Sequence, residues 1–120
     1  MTTEQFRSLA LALPDAEERE HMNHPDFRVG GRIFATLGYP DGAWAMVKLY
    51  PEQQRDFVAA APRMFVPVKG AWGRQGCTSV LLKVATQARV KDALVAAWRK
   101  AAVKAAKKSL EAPAKRRKHE

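Results

Sequence analysis

The strongest indication of the fold is a pair of β-favouring segments on either side of two adjacent glycines. Residues 27–29 and 32–37 are rich in β-branched and aromatic side chains, and a Gly-Gly pair at 30–31 separates them. Glycine adopts positive φ angles without a steric penalty, so this pair favours the tight turn of a β-hairpin. A turn sequence at 39–42 then leads into another β-favouring segment at 43–49. The spacing therefore predicts three antiparallel strands in a meander.

Helical patterns and further strands flank this meander. A capping-box pattern at Thr2 and Gln5 predicts a first helix over residues 3–13, which Pro14 ends. The remaining predicted elements are, in chain order, a polar edge strand over 16–22, a helix over 51–61, a strand over 64–68, a glycine-containing loop over 69–76, a central and most hydrophobic strand over 78–84, and a long helix capped by Thr86. We therefore expect an α+β fold, in which an antiparallel sheet of about five to six strands carries the N- and C-terminal helices on one face.

Length and composition indicate one cytoplasmic domain. A chain of 120 residues with 47% hydrophobic and 28% charged residues matches a single globular domain. We expect this domain over residues 1–110 and a disordered basic tail over 111–120, because Pro113 interrupts the helical pattern. No apolar run approaches the roughly 20 residues of a membrane span, and no signal peptide is visible. The single cysteine, Cys77, excludes an internal disulfide and a cysteine-rich zinc site.

The positive charge is concentrated at the C-terminal end of the chain. The formal net charge is +9, and the last 22 residues contribute +7, through nine Lys or Arg against Glu111 and Glu120. The preceding 98 residues carry twelve basic and ten acidic side chains. The basicity therefore belongs to one helix end and a tail rather than to the whole domain.

Four segments together resemble the MmcQ/YjbR family of small bacterial proteins. They are Leu13-Pro14 at the end of the first helix, residues 24–37 around the Gly-Gly turn, the strand and turn at 46–52, and Trp72-Gly73-Arg74-Gln75-Gly76 ahead of the strand at 80–82. The resemblance covers about residues 4–103 and implies a CyaY-like two-layer sandwich. The family is associated with DNA binding and has no general established reaction. The resemblance thus implies a nucleic-acid-binding protein rather than an enzyme.

Basic side chains near the C-terminus are the first candidates for contacting nucleic acid. The lysines of the last helix recur at helical spacing and so share one face, and the tail adds a second cluster. Such a run of cations neutralises phosphates without reading the base sequence. A solvated helix face with a solubilising tail is the alternative interpretation. The candidates are Lys100, Lys104, Lys107 and Lys108 on the helix and Lys115, Arg116, Arg117 and Lys118 in the tail.

The loop at 69–76 is the second candidate. Its glycines let backbone N–H groups approach an anion, Arg74 supplies a cation, and the indole of Trp72 can stack on a base. We expect Trp72 and Arg74 to add a second contact to DNA. The alternative function is a small-molecule or anion-binding domain that uses the sheet face and the Gly70–Gly76 loop, with a pocket lined by Lys48, Trp72 and Arg74.

No set of residues indicates catalysis, a metal or a cofactor. His21 and His24 lie among acidic residues, but zinc needs three or four converging ligands, which this stretch does not supply. Cys77 has no base placed near it by the sequence and is interpreted as a small packing residue. We therefore expect a non-enzymatic protein without a metal or cofactor, and we assume a monomer.

Overall fold

The computed structural model describes the backbone of residues 1–119 and the side chains of residues 1–110. The predicted tail at 111–120 falls outside the described side chains, and its role stays a prediction. In chain order the elements are α1 (Thr3–Leu11), β1 (Glu17–His21), β2 (His24–Val29), β3 (Arg32–Leu37), β4 (Trp44–Lys48), α2 (Pro51–Ala60), β5 (Phe65–Pro67), α3 (Ala71–Arg74), β6 (Cys77–Leu81), a 3₁₀ turn (Leu82–Val84) and α4 (Gln87–His119).

The six strands form one antiparallel sheet in the order β1-β2-β3-β4-β6-β5. This confirms the predicted α+β class and the polar edge strand. The prediction of a central strand over 78–84 was wrong in two respects. β5 pairs outside β6, which makes β6 the second strand from the edge, and β6 ends at Leu81 as the chain enters the 3₁₀ turn. Val80 lies in β6 and Leu82 in the 3₁₀ turn, yet both are buried. A run of buried apolar residues therefore does not show where the strand ends.

Helix α1 begins at the predicted capping box. The Gln5 amide donates to Thr2 Oγ1 at 3.1 Å, and the Thr2 amide donates to Gln5 Oε1 at 2.9 Å. The helix ends at Leu11, two residues earlier than predicted. The cause is Pro14, because a proline disfavours helical backbone at the residue before it, here Leu13.

The hairpin between β2 and β3 turns at the predicted Gly-Gly pair. Both glycines have positive φ, +57° at Gly30 and +79° at Gly31. Gly30 also lies against α4, since a Cβ atom built there would be 2.5 Å from the Cβ of Ala105. A β-bulge interrupts the hairpin, because Phe27 pairs with Ala35 while Arg28, the next residue of β2, pairs with Ile33. The bulge leaves Phe34 unpaired and lets it enter the core beside Ala35.

The core lies between one face of the sheet and the helices α1, α2 and α4. Phe6 of α1 packs on Phe27 with ring centroids 6.1 Å apart, and Phe57 of α2 packs on Phe65 at 5.2 Å. Helix α4 contributes a fully buried stripe that includes Val90 and Leu94. The predicted two-layer packing, with terminal helices on one face, is confirmed.

The opposite face of the sheet is called the open face here, because the core helices pack on the other face. Most of the side chains at its centre are nevertheless buried. Cross-strand pairing places one continuous row on it, running from β2 to β5. The row consists of Asp26, Thr36, Met46, Ser79 and Val66. Alternation along each strand then puts Trp44 and Lys48 of β4, and Cys77 of β6, on the same face.

Candidate functional site: a cationic cleft

A cleft of about 560 Å³ lies at the end of the sheet where β3 and β4 separate. These strands pair only from Ala35 with Val47 to Leu37 with Ala45, and the bulge at Phe34 carries the β2–β3 hairpin away from β4. The gap is bounded by the hairpin, the end of β4, the start of β6 and α4. We call it the cationic cleft, after the basic side chains that line it: Arg28, Arg32, Lys48, Lys100, Lys104 and Lys108.

Helix α4 supplies half of these cations. Lys100, Lys104 and Lys108 are four residues apart, so they follow one another along the same face, and Ala97 and Ala101 of the helix also line the cleft. The predicted lysine stripe therefore faces the cleft at three of its four positions. Lys107 is exposed and does not line the cleft.

Lys100 is held at the inner end of the cleft. Its Nζ donates to the carbonyl oxygen of Leu49 at 2.9 Å and lies 5.2 Å from the centre of the Tyr50 ring. Burial lowers the pKa of Lys100, and the positive charges of Lys104 and Lys48 lower it further. An anion in the cleft would offset this repulsion, so the arrangement favours a negatively charged occupant.

Arg28 is the one cleft cation that a carboxylate holds within the described side chains. Its Nε and Nη2 donate to the two carboxylate oxygens of Asp26, at 2.7 Å and 3.0 Å. Asp26 is fully buried, and its Oδ2 also lies 2.6 Å from Nδ1 of His21. The Arg28 guanidinium is the main cause of the lowered pKa of Asp26, and burial opposes it. The pair fixes the guanidinium in the wall of the cleft.

The other cleft cations have no acidic partner among residues 1–110. No ion pair joins Arg32, Lys48, Lys104 or Lys108 to an Asp or Glu of that range. Of the described residues that line the cleft, none is acidic. No carboxylate of residues 1–110 therefore offsets the charge of these four side chains.

Cys77 lies in the floor of the cleft and is buried, in agreement with its interpretation as a packing residue. Burial raises the pKa of the thiol, and the charges of Lys48 and Lys100 lower it to a smaller extent. Because the raised pKa keeps the thiol protonated at neutral pH, Cys77 has the character of an unreactive cysteine.

The predicted pocket of Lys48, Trp72 and Arg74 does not come together as one site. Lys48 lines the cationic cleft, whereas Trp72 and Arg74 lie on α3 outside it. The predicted loop contains this single helical turn, and Gln75, its C-cap, is the residue that reaches the cleft. Trp72 is 60% exposed. The tail cations Lys115, Arg116, Arg117 and Lys118 lie outside the described side chains.

The two histidines occupy separate environments. His21 contacts Asp26, whereas the ring of His24 packs edge-on against Tyr39 with centroids 6.3 Å apart. Across the described residues, no three side chains of His, Cys, Asp or Glu converge as metal ligands. The described part of the chain also contains no helix long and apolar enough to cross a membrane.

Arg28 and Arg32 are site residues that the sequence did not predict, and Gln75 was predicted only as part of the Gly70–Gly76 loop. The two arginines flank the Gly-Gly turn, and this proximity was the available signal. What the pattern did not reveal is that the turn packs on Ala105, which brings both arginines to the lysines of α4.

The fold and the site define a small α+β protein with a cationic cleft at one end of its sheet. The family model named YjbR matches residues 11–100, and the chain belongs to this family, as its resemblance indicated. Among solved structures it is similar to the Deinococcus radiodurans protein DR2400, a DUF419 domain, with a TM-score of 0.66 and 19% identity. The match covers 81% of this chain and 75% of that one, and it shows a shared fold. No curated protein matches the chain.

Proposed function

We propose that this YjbR-family protein binds nucleic acid through the phosphate backbone, weakly and with little sequence preference, and that it is not an enzyme. The observation that carries the proposal is the cationic cleft, in which six Lys and Arg side chains converge without an acidic residue among its described lining. The proposal also takes the protein to be a cytoplasmic monomer that needs no cofactor or metal.

The spread of the charges favours a polyanion over a single phosphate. Lys100 and Lys108 are eight residues apart on α4, which is roughly 12 Å along the helix axis. One strand of duplex DNA advances roughly 3.4 Å per phosphate, so this stripe spans the length of about three to four phosphates. Arg32 adds charge on the opposite wall, at the hairpin, where the charge of Arg28 is offset by Asp26.

The first prediction concerns the salt dependence of DNA binding. Lys104→Glu with Lys108→Glu should weaken binding of a short duplex at low salt, because both side chains line the cleft. The slope of log K against log salt should become shallower by about 0.9 for each phosphate that the variant no longer neutralises. The matched control is Lys83→Glu with Lys91→Glu, which makes the same change in charge at two exposed lysines outside the cleft.

The control should retain most of the affinity and of the salt slope. Equal losses in the two variants would show that net charge, rather than the cleft, determines binding. A third variant, with Lys115, Arg116, Arg117 and Lys118 changed to Glu, measures the contribution of the tail to DNA binding. If the tail contacts phosphates, this variant should make the slope of log K against log salt shallower by up to about 4. If that variant alone removed all binding, the cleft would not be the principal site.

A small anion is the second candidate, and the inner end of the cleft favours it. Lys48, Lys100 and Gln75 line the concave cleft together with Cys77, and the charges of both lysines act on the Cys77 thiol, whereas a flat basic surface would offer no enclosure. Titration with inorganic phosphate and pyrophosphate separates the two functions. The nucleic-acid proposal predicts that phosphate competes with DNA only at high concentration. Tight stoichiometric binding of either ion would favour the small-anion function.

A further inference from the structure

A second depression lies on the open face, a short distance from the cationic cleft. It has a volume of about 330 Å³, and Tyr39, Trp44, Pro40 and Pro67 give it an aromatic and apolar lining. Tyr39 is 43% exposed, and its ring packs edge-on against His24. We call this depression the aromatic pocket. Lys69 and Ser79 supply its polar groups.

Two strands connect the aromatic pocket to the cleft. On β6, Cys77 lines the cleft and Ser79 lines the pocket. These are alternate residues on the same face, so their Cα atoms are about 7 Å apart. On β4, Lys48 lines the cleft and Trp44 lines the pocket, about 13 Å apart on that face. The two depressions therefore lie against neighbouring residues of the same two strands, with the buried Met46 between them on β4.

The segment between β5 and β6 provides a further connection. Lys69 lies at the aromatic pocket and Gln75 at the cleft, with α3 between them. Gly73 fixes α3 against the chain, because a Cβ atom there would lie 1.6 Å from the carbonyl oxygen of Val68. The exposed Trp72 also lies on this turn.

We propose that the aromatic pocket binds an unpaired nucleobase of a strand whose phosphates lie in the cationic cleft, so that the preferred ligand is single-stranded nucleic acid. This inference rests on the proposed function. One strand of a duplex advances roughly 3.4 Å per nucleotide along its axis, and an unstacked strand extends further, so the step between cleft and pocket on β6 corresponds to about one to two nucleotides. Aromatic rings next to a cationic groove are the means by which proteins hold single strands without reading their sequence. A base-paired strand cannot present a base to the pocket unless the pair opens.

Three ligands of equal length separate the phosphate contribution from the base contribution: a labelled oligothymidylate, an abasic deoxyribose-phosphate strand, and a duplex. We expect the full-length protein to bind oligothymidylate about tenfold more tightly than the abasic strand, as measured by fluorescence anisotropy at low salt. The abasic strand carries the same phosphates, so its affinity reports on the cleft alone.

Tyr39→Ala and, separately, Trp44→Leu should each reduce the preference for oligothymidylate severalfold and leave abasic binding unchanged. Leu11→Ala, an exposed apolar position on α1, is the control and should change neither affinity. Trp44 is partly buried, so the exposed Tyr39 provides the test if the Trp44 variant does not fold.

The outcomes distinguish the two proposals. Binding of the abasic strand and oligothymidylate with equal affinity would overturn the base site and leave phosphate binding standing. The base site is likewise overturned if Tyr39→Ala keeps the full preference for oligothymidylate. If none of the three ligands binds, the proposed function fails and the base site fails with it.

Discussion

A buried carboxylate organises one wall of the cleft. Asp26 is fully buried, yet it lies within hydrogen-bonding distance of Arg28 through both oxygens and of His21 through one. Burying an ionised carboxylate is costly unless hydrogen bonds and an opposite charge compensate it, and Arg28 supplies both. The same interaction restricts the guanidinium of Arg28 to the cleft wall. The Asp26 carboxylate therefore affects both the stability of the sheet and the position of a charged side chain in the cleft.

This pair predicts a pH-dependent contribution to stability. The pKa of Asp26 is lower in the folded chain than in the unfolded chain, chiefly because of Arg28. Its stabilisation is therefore complete above about pH 4 and is lost as the pH falls through the folded pKa. Asp26→Asn should lower the free energy of unfolding by about 1–3 kcal/mol at pH 7, since a charged hydrogen-bond partner is removed from a buried site.

Denaturant unfolding at pH 7 and pH 3 checks this prediction. The difference between the parent and Asp26→Asn should shrink at the lower pH. Asp56→Asn, at an exposed position of α2, is the control and should alter stability little at either pH. A difference that stayed constant between the two pH values would contradict the assigned role of the Asp26 charge.

Among the elements, the β2–β3 hairpin and α4 must touch for the cleft to form. The hairpin turn approaches the helix so closely that no Cβ atom fits at Gly30 beside Ala105. Gly31 also has positive φ, but a Cβ atom there would meet no atom within 4 Å. Because the two glycines share the backbone requirement and differ in the helix contact, they form a matched pair for experiment.

Gly30→Ala should destabilise the protein more than Gly31→Ala. The left-handed backbone costs an alanine roughly 1–2 kcal/mol at either position. Gly30→Ala adds a clash with Ala105, and overpacking of this kind costs about 1–3 kcal/mol more. Chemical denaturation measures the difference, and Ala105→Gly in the Gly30→Ala background should recover part of it. Equal destabilisation by the two alanines would show that the hairpin does not press on α4.

The sequence predicted those features that depend on local pattern. The capping box at Thr2 and the Gly-Gly hairpin were correct because each is determined by a few neighbouring residues. The bulge at Phe34 was not predictable, since alternation in β3 is equally compatible with a regular strand. The position of β6 depends on β5 pairing outside it, a long-range choice that hydrophobicity does not encode.

The same distinction between local pattern and long-range packing explains which residues of the candidate site could be predicted. Helical spacing identified Lys100, Lys104 and Lys108, because residues four apart always share a face. Their partners Arg28 and Arg32 come from a distant hairpin, and no local rule places that hairpin on the helix. Trp72 and Arg74 were grouped with Lys48 on chemical type alone, and the helical turn α3 keeps them outside the cleft.

In the molecule as a whole, the fold concentrates charge that the sequence distributes. Residues 1–98 carry twelve basic and ten acidic side chains, a nearly neutral balance. Folding nevertheless brings Arg28, Arg32 and Lys48 from this part to the lysines of α4. A focused positive potential attracts anionic ligands more effectively than the same charges dispersed over the surface. The open face extends from this potential to the aromatic pocket.

Amide chemical shifts would locate bound nucleic acid on the protein and so test the cationic cleft itself. The ¹⁵N-labelled full chain would be titrated at low salt with an unlabelled DNA oligonucleotide. We predict the largest shifts around the cleft, at Gly30, Gly31, Lys48, Gln75 and the α4 segment 100–108, and a return toward free positions as salt is added. Shifts confined to residues 115–118, clustered on α1, or absent throughout would contradict the assignment of the cationic cleft as the nucleic-acid site.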